Sequence, residues 1–324
     1  MFGGGVLALD PEAATARIAA TLRQQVMAIL RRRGAVVGLS GGVDSAVVAG
    51  LLARALGPER VVALLMPERH SSPDSLRLGQ LVADTLGVVA IVEDIAPALD
   101  GLGCYARQDA AIRRVFPDWG AGWTCKLTLP SILDGDRLNV FSLTVRSPAG
   151  EERRARLPLE AYLELVAATN LKQRTRKALE YTHADRLVYA VAGTPNRLEY
   201  DQGFFVKNGD GAADIKPIAH LYKTQVYALA AHLGIPDEVR SRPPTTDTYS
   251  MEQTQEEFYF ALPWDRMDLC LYGLDHGVAA AEVAPAVGLT AEQVERVYRD
   301  IVSKRRATRY LHAAPLLVVD TEDA

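Results

Sequence analysis

A Ser-Gly-Gly-Val-Asp-Ser sequence that begins at Ser40 carries the residue types with the clearest chemical potential in this chain. It lies between a short apolar run and a segment of small apolar residues, which predicts a buried strand, a tight turn and a helix. Gly41 and Gly42 let the backbone approach a ligand closely, and the free N–H groups at the start of a helix attract phosphate. The Ser40 and Ser45 hydroxyls add donors, and the Asp44 carboxylate could hold Mg²⁺. We therefore expect a phosphate-binding loop here.

This loop resembles the pyrophosphate-binding loop of the N-type ATP pyrophosphatases, a superfamily that includes NAD, GMP, argininosuccinate and asparagine synthetases. Those enzymes activate a carbonyl or carboxyl oxygen by transferring AMP to it, and they release pyrophosphate. The loop lacks the Gly-Lys-Ser/Thr ending of a Walker A sequence. The resemblance therefore implies the activation chemistry but leaves the substrate open.

Apolar segments of strand length alternate with helical segments along the chain. An amphipathic helix is predicted over Pro11–Arg33, and further strands are predicted over Val61–Met66, Val88–Ile91 and Leu187–Ala192. Alternation at this spacing indicates parallel βαβ units and hence an α/β fold with a doubly wound parallel sheet. Because ligands bind beyond the carboxyl ends of the strands in such sheets, we expect the polar segments that follow these strands to meet there.

The predicted elements divide the chain into three parts. Residues 1–100 and 160–324 form the nucleotide-binding domain, and the second of these ranges ends in a helical segment. Residues 101–159 have no clear period and are interpreted as an insertion near the substrate or an interface. This insertion contains a predicted β-hairpin with its turn at Ser147–Gly150. A polar loop from Pro243 to about Glu256 is a candidate mobile lid.

The composition excludes several classes of protein. The 324 residues carry a formal charge of −4, whereas a nucleic-acid-binding surface normally has a basic excess. No apolar run approaches the roughly 20 residues that span a bilayer, and the N-terminus lacks the pattern of a signal peptide. The three cysteines have no metal-binding spacing. We therefore expect a cytoplasmic protein with reduced thiols and with neither a membrane nor a nucleic-acid partner.

Further motifs narrow the resemblance to the NAD synthetase family over roughly residues 12–100 and 160–306. Their order and spacing, together with the loop at Ser40, are similar to those of that family. These motifs are Asn170 with Arg174 and Arg176, Gly193-Thr194 with Glu199, Lys207 with Gly209-Asp210 and Asp214, Leu221–Val226, and Gln253-Thr254 with Glu256.

The resemblance implies a role for each matching position. ATP would contact Ser40, Gly41, Gly42, Asp44, Ser45, Met66, Arg174, Thr194, Lys223 and Thr245. The acid substrate would contact Arg176, Lys207, Asp210, Asp214 and Lys304. Mg²⁺ would bind Asp44 and Glu199. Asp44, Lys207 and Lys223 are the expected catalytic residues.

The reaction implied by the family is the ATP-dependent amidation of nicotinate adenine dinucleotide to NAD. AMP turns a carboxylate oxygen into a good leaving group, pyrophosphate departs, and ammonia attacks the acyl-adenylate. Because the chain starts almost directly at the first synthetase helix, ammonia is expected to come from solution or from a separate partner. The family also implies a homodimer.

Departures from the family pattern keep other functions open. Val206 stands where the family commonly has threonine, Asn208 replaces an aromatic residue, Leu198 replaces serine and Gln255 replaces aspartate. Most of these lie on the acid side, and the insertion is long. The alternatives are therefore a paralogous ligase for a different carboxylic acid or amine, and a nucleotide-binding regulatory or scaffold protein without turnover. The presence of Asp44, Glu199 and Lys223 argues against the last alternative.

Overall fold

The computed structural model describes residues 2–129, 141–245 and 248–318. Within these ranges there are two sheets. The strands are β1 (Ala35–Gly38), β2 (Val61–Leu65), β3 (Val89–Val92), β4 (Thr124–Thr128), β5 (Ser142–Arg146), β6 (Glu152–Arg156) and β7 (Ala190–Ala192). The first sheet is parallel with the order β3-β2-β1-β7, and the second is antiparallel with the order β4-β5-β6.

Helices surround the parallel sheet and form a C-terminal cluster. They are α1 (Pro11–Arg23), α2 (Val43–Leu56), α3 (Pro73–Leu86), α4 (Ala96–Gly101), α5 (Cys104–Arg113), α6 (Leu159–Leu187), α7 (Arg197–Gln202), α8 (Lys223–His232), α9 (Asp237–Arg240), α10 (Trp264–Asp275), α11 (Ala280–Val287) and α12 (Ala291–His312). No described helix is long and apolar enough to cross a membrane.

Alternate residues of the parallel strands pack into different apolar cores. Val37 and Ala63 belong to a core with residues of α1, α2, α3 and α8. Val36 and Leu64 belong to a second core with residues of α4, α5 and α6. Because successive strand residues point to opposite faces, helices cover both faces of the sheet. The predicted doubly wound α/β fold is confirmed.

The strand order creates a crevice at the carboxyl end of β1. The chain runs from β1 through β2 to β3 on one side, and β7 then pairs with β1 on the other side. The connections after β1 and β7 therefore diverge. A ligand crevice forms at such a switch point in the strand order, which brings the loop at Ser40 close to the segment that begins at Gly193.

Several boundaries differ from those predicted. The first α-helix ends at Arg23 and continues as a π-helix over Gln24–Ile29. The strand predicted from Leu187 begins at Ala190 because α6 extends through Leu187. Asp10 caps the first helix, since its carboxylate accepts from the backbone N–H groups of Glu12 and Ala13.

The middle part of the chain contains more regular structure than its sequence indicates. The predicted hairpin corresponds to β5 and β6, but β4 adds a third strand, and α5 packs along α6. Residues 137–140 of the predicted hairpin lie outside the described residues. A core with Leu127, Leu143 and Val145 joins this sheet to Leu165 of α6 and to Tyr249. The antiparallel sheet is thus packed against the segment that contains the candidate lid.

Candidate active site

A cavity of about 670 Å³ lies at the carboxyl ends of β1 and β2 and beside the segment after β7. Residues as distant in the chain as Gly38 and Leu311 line it. Among the described residues, the lining does not include Gly41, Asp214 or Lys304. All of the other residues predicted to form the site line the cavity, and they are Ser40, Gly42, Asp44, Ser45, Met66, Arg174, Arg176, Thr194, Glu199, Lys207, Asp210, Lys223 and Thr245.

The loop at Ser40 has the backbone geometry of an anion site. Gly41 has a φ of 76°, and a Cβ there would lie 2.7 Å from the carbonyl oxygen of Ser75, so only glycine fits. Ser45 Oγ donates to the carbonyl of Gly42 over 3.0 Å and accepts from the Ser40 N–H over 3.3 Å. The cap residue of α2 is Gly42, which has no side chain to satisfy the first N–H groups. The residues of this first turn, Val43, Asp44 and Ser45, line the cavity, where the helix dipole favours negative charge.

Lys223 is the first residue of α8, and its ammonium group lies beside Asp44. Lys223 is only 1% exposed, and its Nζ donates to Asp44 Oδ2. Burial lowers the pKa of Lys223, but the Asp44 and Glu199 carboxylates outweigh that effect and raise it above its ordinary value. The lysine is therefore a permanent positive charge at the cavity wall, next to the loop at Ser40.

Glu199 lies in the first turn of α7 and is held by two neighbours. Asn196 caps this helix, because its Oδ1 accepts from the Glu199 N–H while Glu199 Oε2 accepts from the Asn196 N–H. Gln255 Nε2 donates to Glu199 Oε1 over 2.9 Å. Burial, and then the nearby negative charge of Asp44, raise the pKa of Glu199 to about 8. Burial and the charge of Asp44 therefore outweigh the positive charge of Lys223 at this second carboxylate.

Three cations that line the cavity contact backbone carbonyls. Arg174 Nε donates to the carbonyl of Lys207 over 3.3 Å, and Arg176 Nε donates to that of Met66 over 3.4 Å. Lys207 Nζ donates over 2.9 Å to the carbonyl of Tyr310, in the last turn of α12. These contacts hold the C-terminal helix and the strand ends around one end of the cavity.

The other residues that were predicted to contact the acid substrate bind backbone groups of the protein in this structure. Asp210 lines the cavity but accepts from the Val206 N–H over 2.7 Å, and burial raises its pKa. Asp214 accepts from the N–H of Val191 over 2.8 Å, within the core strand β7. Lys304 Nζ donates to the carbonyl of Tyr259 over 2.7 Å. Their predicted substrate contacts stay predictions.

One departure from the family pattern has a backbone explanation. Asn208 has a φ of 60°, in the left-handed region that asparagine tolerates far better than aromatic residues do. The neighbouring Val206 lines the cavity, and its N–H is bound by Asp210. The local backbone conformation is therefore a sufficient reason for asparagine at this position.

Several residues that the sequence reasoning passed over also belong to this region. Asn196 and Gln255 contact the two predicted metal ligands, whereas Lys172 and Glu68 form a buried ion pair behind the cavity wall. The Asn-x-x-Glu spacing at Asn196 is a capping signature that could have revealed the first. Lys172 gave no signal, because a lysine within a helix usually lies on a solvated face.

Comparisons with known proteins agree on the family. The model of the NAD synthase family matches residues 14–113 and 149–310. The NH(3)-dependent NAD(+) synthetase of Rhizobium meliloti is 61% identical over 100% of this chain and 96% of its own length. The enzyme of the same name from Mesorhizobium japonicum is 62% identical over 97% of this chain and 99% of its own. The unmatched residues 114–148 thus lie inside a region that these relatives share.

Solved structures share the fold at lower identity. The NH3-dependent NAD synthetase from Campylobacter jejuni aligns with a TM-score of 0.62 at 20% identity, and covers 96% of this chain and 100% of its own. The NMN synthetase from Francisella tularensis aligns with a TM-score of 0.60 at 20% identity, over 96% and 99% of the two chains. At this identity the likeness establishes the fold alone. From the family model and the relatives of full length, we conclude that this chain belongs to the NAD synthase family.

Proposed function

We propose that this protein is an ammonia-dependent NAD synthetase, which uses ATP to convert nicotinate adenine dinucleotide to NAD with release of AMP and pyrophosphate. The observation that carries the proposal is the 61% identity to a relative of that name over the whole chain, including the 101–159 segment. The alternative of a different acid rested largely on that segment. Relatives that share it and are named for the same reaction favour nicotinate adenine dinucleotide.

The arrangement of charges suits adenylation followed by amide formation. A carboxylate oxygen of the acid attacks the α-phosphorus of ATP, the bond from that phosphorus to the β-phosphate breaks, and pyrophosphate leaves. Negative charge develops on the departing phosphates, where the N–H groups at the start of α2 and the Lys223 ammonium stabilise it. Ammonia then attacks the acyl carbonyl, and AMP departs.

The cavity also fits a Mg²⁺ ion that travels with ATP. Asp44 and Glu199 both line it, and the Asn196 side chain contacts both residues. Mg²⁺ is usually bound by one or two carboxylates together with substrate phosphates, so a pair of carboxylates is sufficient. Burial and the charge of Asp44 outweigh the nearby Lys223 ammonium and raise the pKa of Glu199, so the site favours a further cation. When bound, Mg²⁺ would neutralise charge on the pyrophosphate.

The proposal gives binding roles to Arg174 towards ATP and to Arg176 and Lys207 towards the acid. Each of them lines the cavity and carries a positive charge. A dinucleotide has two phosphates and a carboxylate, and arginine forks match such anions well. In this view the three side chains exchange some of their backbone contacts for the substrate when it binds.

Product formation from defined substrates tests the proposal. Purified enzyme with ATP, Mg²⁺, ammonium and nicotinate adenine dinucleotide should produce NAD and pyrophosphate in equal amounts. A parallel ATP–pyrophosphate exchange assay should be stimulated by this acid and by no other in a panel that includes nicotinate mononucleotide. Exchange stimulated by a different acid would support the alternative ligase. The absence of exchange with every acid would support a binding protein without turnover.

Assembly and location follow as further proposals. We expect a homodimer, which sedimentation velocity would detect as a mass of about twice 35.2 kDa. Cys104, Cys125 and Cys270 are free and buried, as suits a reducing cytoplasm. Titration of the native and the unfolded protein with a thiol reagent should give zero and three reactive thiols, respectively.

A further inference from the structure

A fully buried lysine lies behind the cavity wall, on the helix that also carries Arg174. Lys172 is 1% exposed, and its Nζ has three partners within hydrogen-bond distance. They are Glu68 Oε1 at 2.8 Å, His70 Nδ1 at 3.0 Å and the backbone carbonyl of Thr248 at 2.8 Å. None of the roles described above for the reaction uses this lysine.

The charge of this cluster is balanced within the protein. The side chain of Glu68 is 0% exposed, and burial would raise its pKa, but the Lys172 charge outweighs burial and lowers it. Burial and the Lys172 charge lower the pKa of His70 to about 4, so its imidazole is neutral at pH 7 and Nδ1 accepts the lysine proton. Tyr105 donates its hydroxyl proton to Glu68 Oε2 over 2.9 Å. The ammonium thus has a complete set of acceptors.

These partners belong to two different loops that line the cavity. Glu68 and His70 lie in the loop after β2, whose residues Pro67 and Ser71 line the cavity. Thr248 belongs to the segment that begins at Pro243, which also lines the cavity. Lys172 therefore joins the two loops to α6, and to each other, through a single charged group.

The remainder of the second loop is attached elsewhere. The Cys125 N–H donates to Ser250 Oγ over 2.9 Å, and the Met251 N–H donates to the carbonyl of Cys125 over 3.0 Å. Gln253 then contacts the carbonyl of Leu127. Residues 250–253 are thus held on β4 of the antiparallel sheet. Thr248 is held by Lys172, on the side of the loop closer to Thr245.

We propose that Lys172 is a positioning residue for ATP binding, because it sets where Thr248, which lines the cavity, lies relative to the loop after β2. Lys172 does not touch the nucleotide; it acts through the backbone carbonyl of Thr248. This proposal rests on the proposed function only in taking ATP as the nucleotide of the cavity. It predicts that loss of this contact weakens ATP binding more than it slows the chemical steps.

A charge-balanced double variant separates positioning from stability. Lys172→Met alone would leave Glu68 charged and buried without its partner, which destabilises proteins strongly. Glu68→Gln combined with Lys172→Met removes both charges, and the introduced amide oxygen still accepts from the Tyr105 hydroxyl. Tyr105→Phe is the matched control, since it perturbs the same cluster without touching Thr248.

We expect the double variant to raise the KM for ATP about tenfold, as for one lost bond to a charged donor, with kcat within about threefold of wild type. The KM for the acid should not change, and Tyr105→Phe should leave both KM values unchanged. An unaltered KM for ATP in a folded double variant would overturn the proposal. An equal rise in Tyr105→Phe would also overturn it, because packing alone would then explain the effect.

Calorimetric titration with a non-hydrolysable ATP analogue makes the test independent of the acid. The double variant should bind the analogue about tenfold more weakly than wild type and Tyr105→Phe. If the wild-type enzyme binds the analogue but makes no NAD, the proposed function fails while this comparison still decides the role of Lys172. Equal affinity in all three proteins would overturn that role.

Discussion

The side-chain amide of Asn196 donates to Asp44 Oδ1 over 3.1 Å, across 152 positions of the chain. Asn196 also caps α7, the helix that carries Glu199, so one side chain connects the loop after β1 with the segment after β7. The two carboxylates expected to bind Mg²⁺ are therefore positioned by a common neighbour. The other oxygen of Asp44 accepts from Lys223, which leaves Asp44 little rotational freedom.

Replacing Asp44 with asparagine should abolish activity and leave the fold intact. The variant removes a negative charge from the expected metal site. It also replaces a carboxylate oxygen with an amide nitrogen, although Lys223 and Asn196 both donate to this side chain. We expect ATP–pyrophosphate exchange to fall by about 10³-fold or more. Far-UV circular dichroism and the melting temperature serve as the control. Exchange at the wild-type rate would exclude Asp44 from metal and phosphate binding.

Two substitutions at Asn196 should separate its cap from its contact with Asp44. Asn196→Ser keeps a good cap residue but has no amide to donate, so we expect an about tenfold loss of kcat/KM, roughly the value of one hydrogen bond to a charged group, with little change in stability. Asn196→Ala should lose the same activity and a further ~1 kcal/mol of unfolding free energy. Steady-state kinetics and urea unfolding measure the two effects. Wild-type activity in both variants would show that the contact with Asp44 is dispensable.

A substitution of Lys304 can distinguish a role in substrate binding from a role in stabilising the fold. Its Nζ lies 2.7 Å from Asp300 Oδ2 and contacts the Tyr259 carbonyl, and its side chain is 12% exposed. Lys304→Met would leave Asp300 buried without this partner, so we expect a loss of about 3 kcal/mol in unfolding free energy. The KM for the acid should stay near wild type in the folded variant. A large rise in that KM with unchanged stability would instead support the substrate role predicted from the family.

Asp268 should make stability depend on pH in a defined direction. Its two oxygens accept from the N–H groups of Lys223 and Thr224 at the start of α8, and it is fully buried. Burial raises its pKa from 3.8 to about 6. The folded state therefore holds this proton more tightly than the unfolded state. The stability contributed by the protonated form is full below about pH 4 and is lost as the pH rises to about 6, by about 3 kcal/mol.

The Asp268→Asn variant isolates that contribution, because asparagine does not titrate. The unfolding free energy of wild type minus that of the variant should be about 3 kcal/mol larger at about pH 4 than at about pH 7. Urea titrations at several pH values measure the difference. A difference independent of pH would mean that Asp268 titrates normally in the folded protein.

The strand, turn and helix around Ser40 could be predicted because their determinants are local. The conformation at Gly41, the hydroxyls and the start of α2 all arise within six consecutive residues, and the strand before them is apolar. The roles of Glu199 and Lys223 came from the family resemblance and stay predictions, although each residue follows a recognisable strand end or opens a helix. The antiparallel sheet was only partly predicted, since the pairing of β4 with β5 spans residues distant in sequence.

Local pattern was sufficient to predict the doubly wound sheet and the turn at Gly41, because apolar periodicity and glycine conformation act over a few residues, and the order of short motifs was sufficient for the family. Tertiary structure alone decided which polar side chains face the cavity and which hold the protein together. Lys172 and Glu68 are 104 positions apart, and only their joint burial makes them a balanced pair. Lys304 and Asp214 carry the charges of substrate-binding residues, yet their nearest partners lie within the protein. Burial and partner choice depend on elements that meet only in the folded chain, and a single sequence does not contain that information in local form.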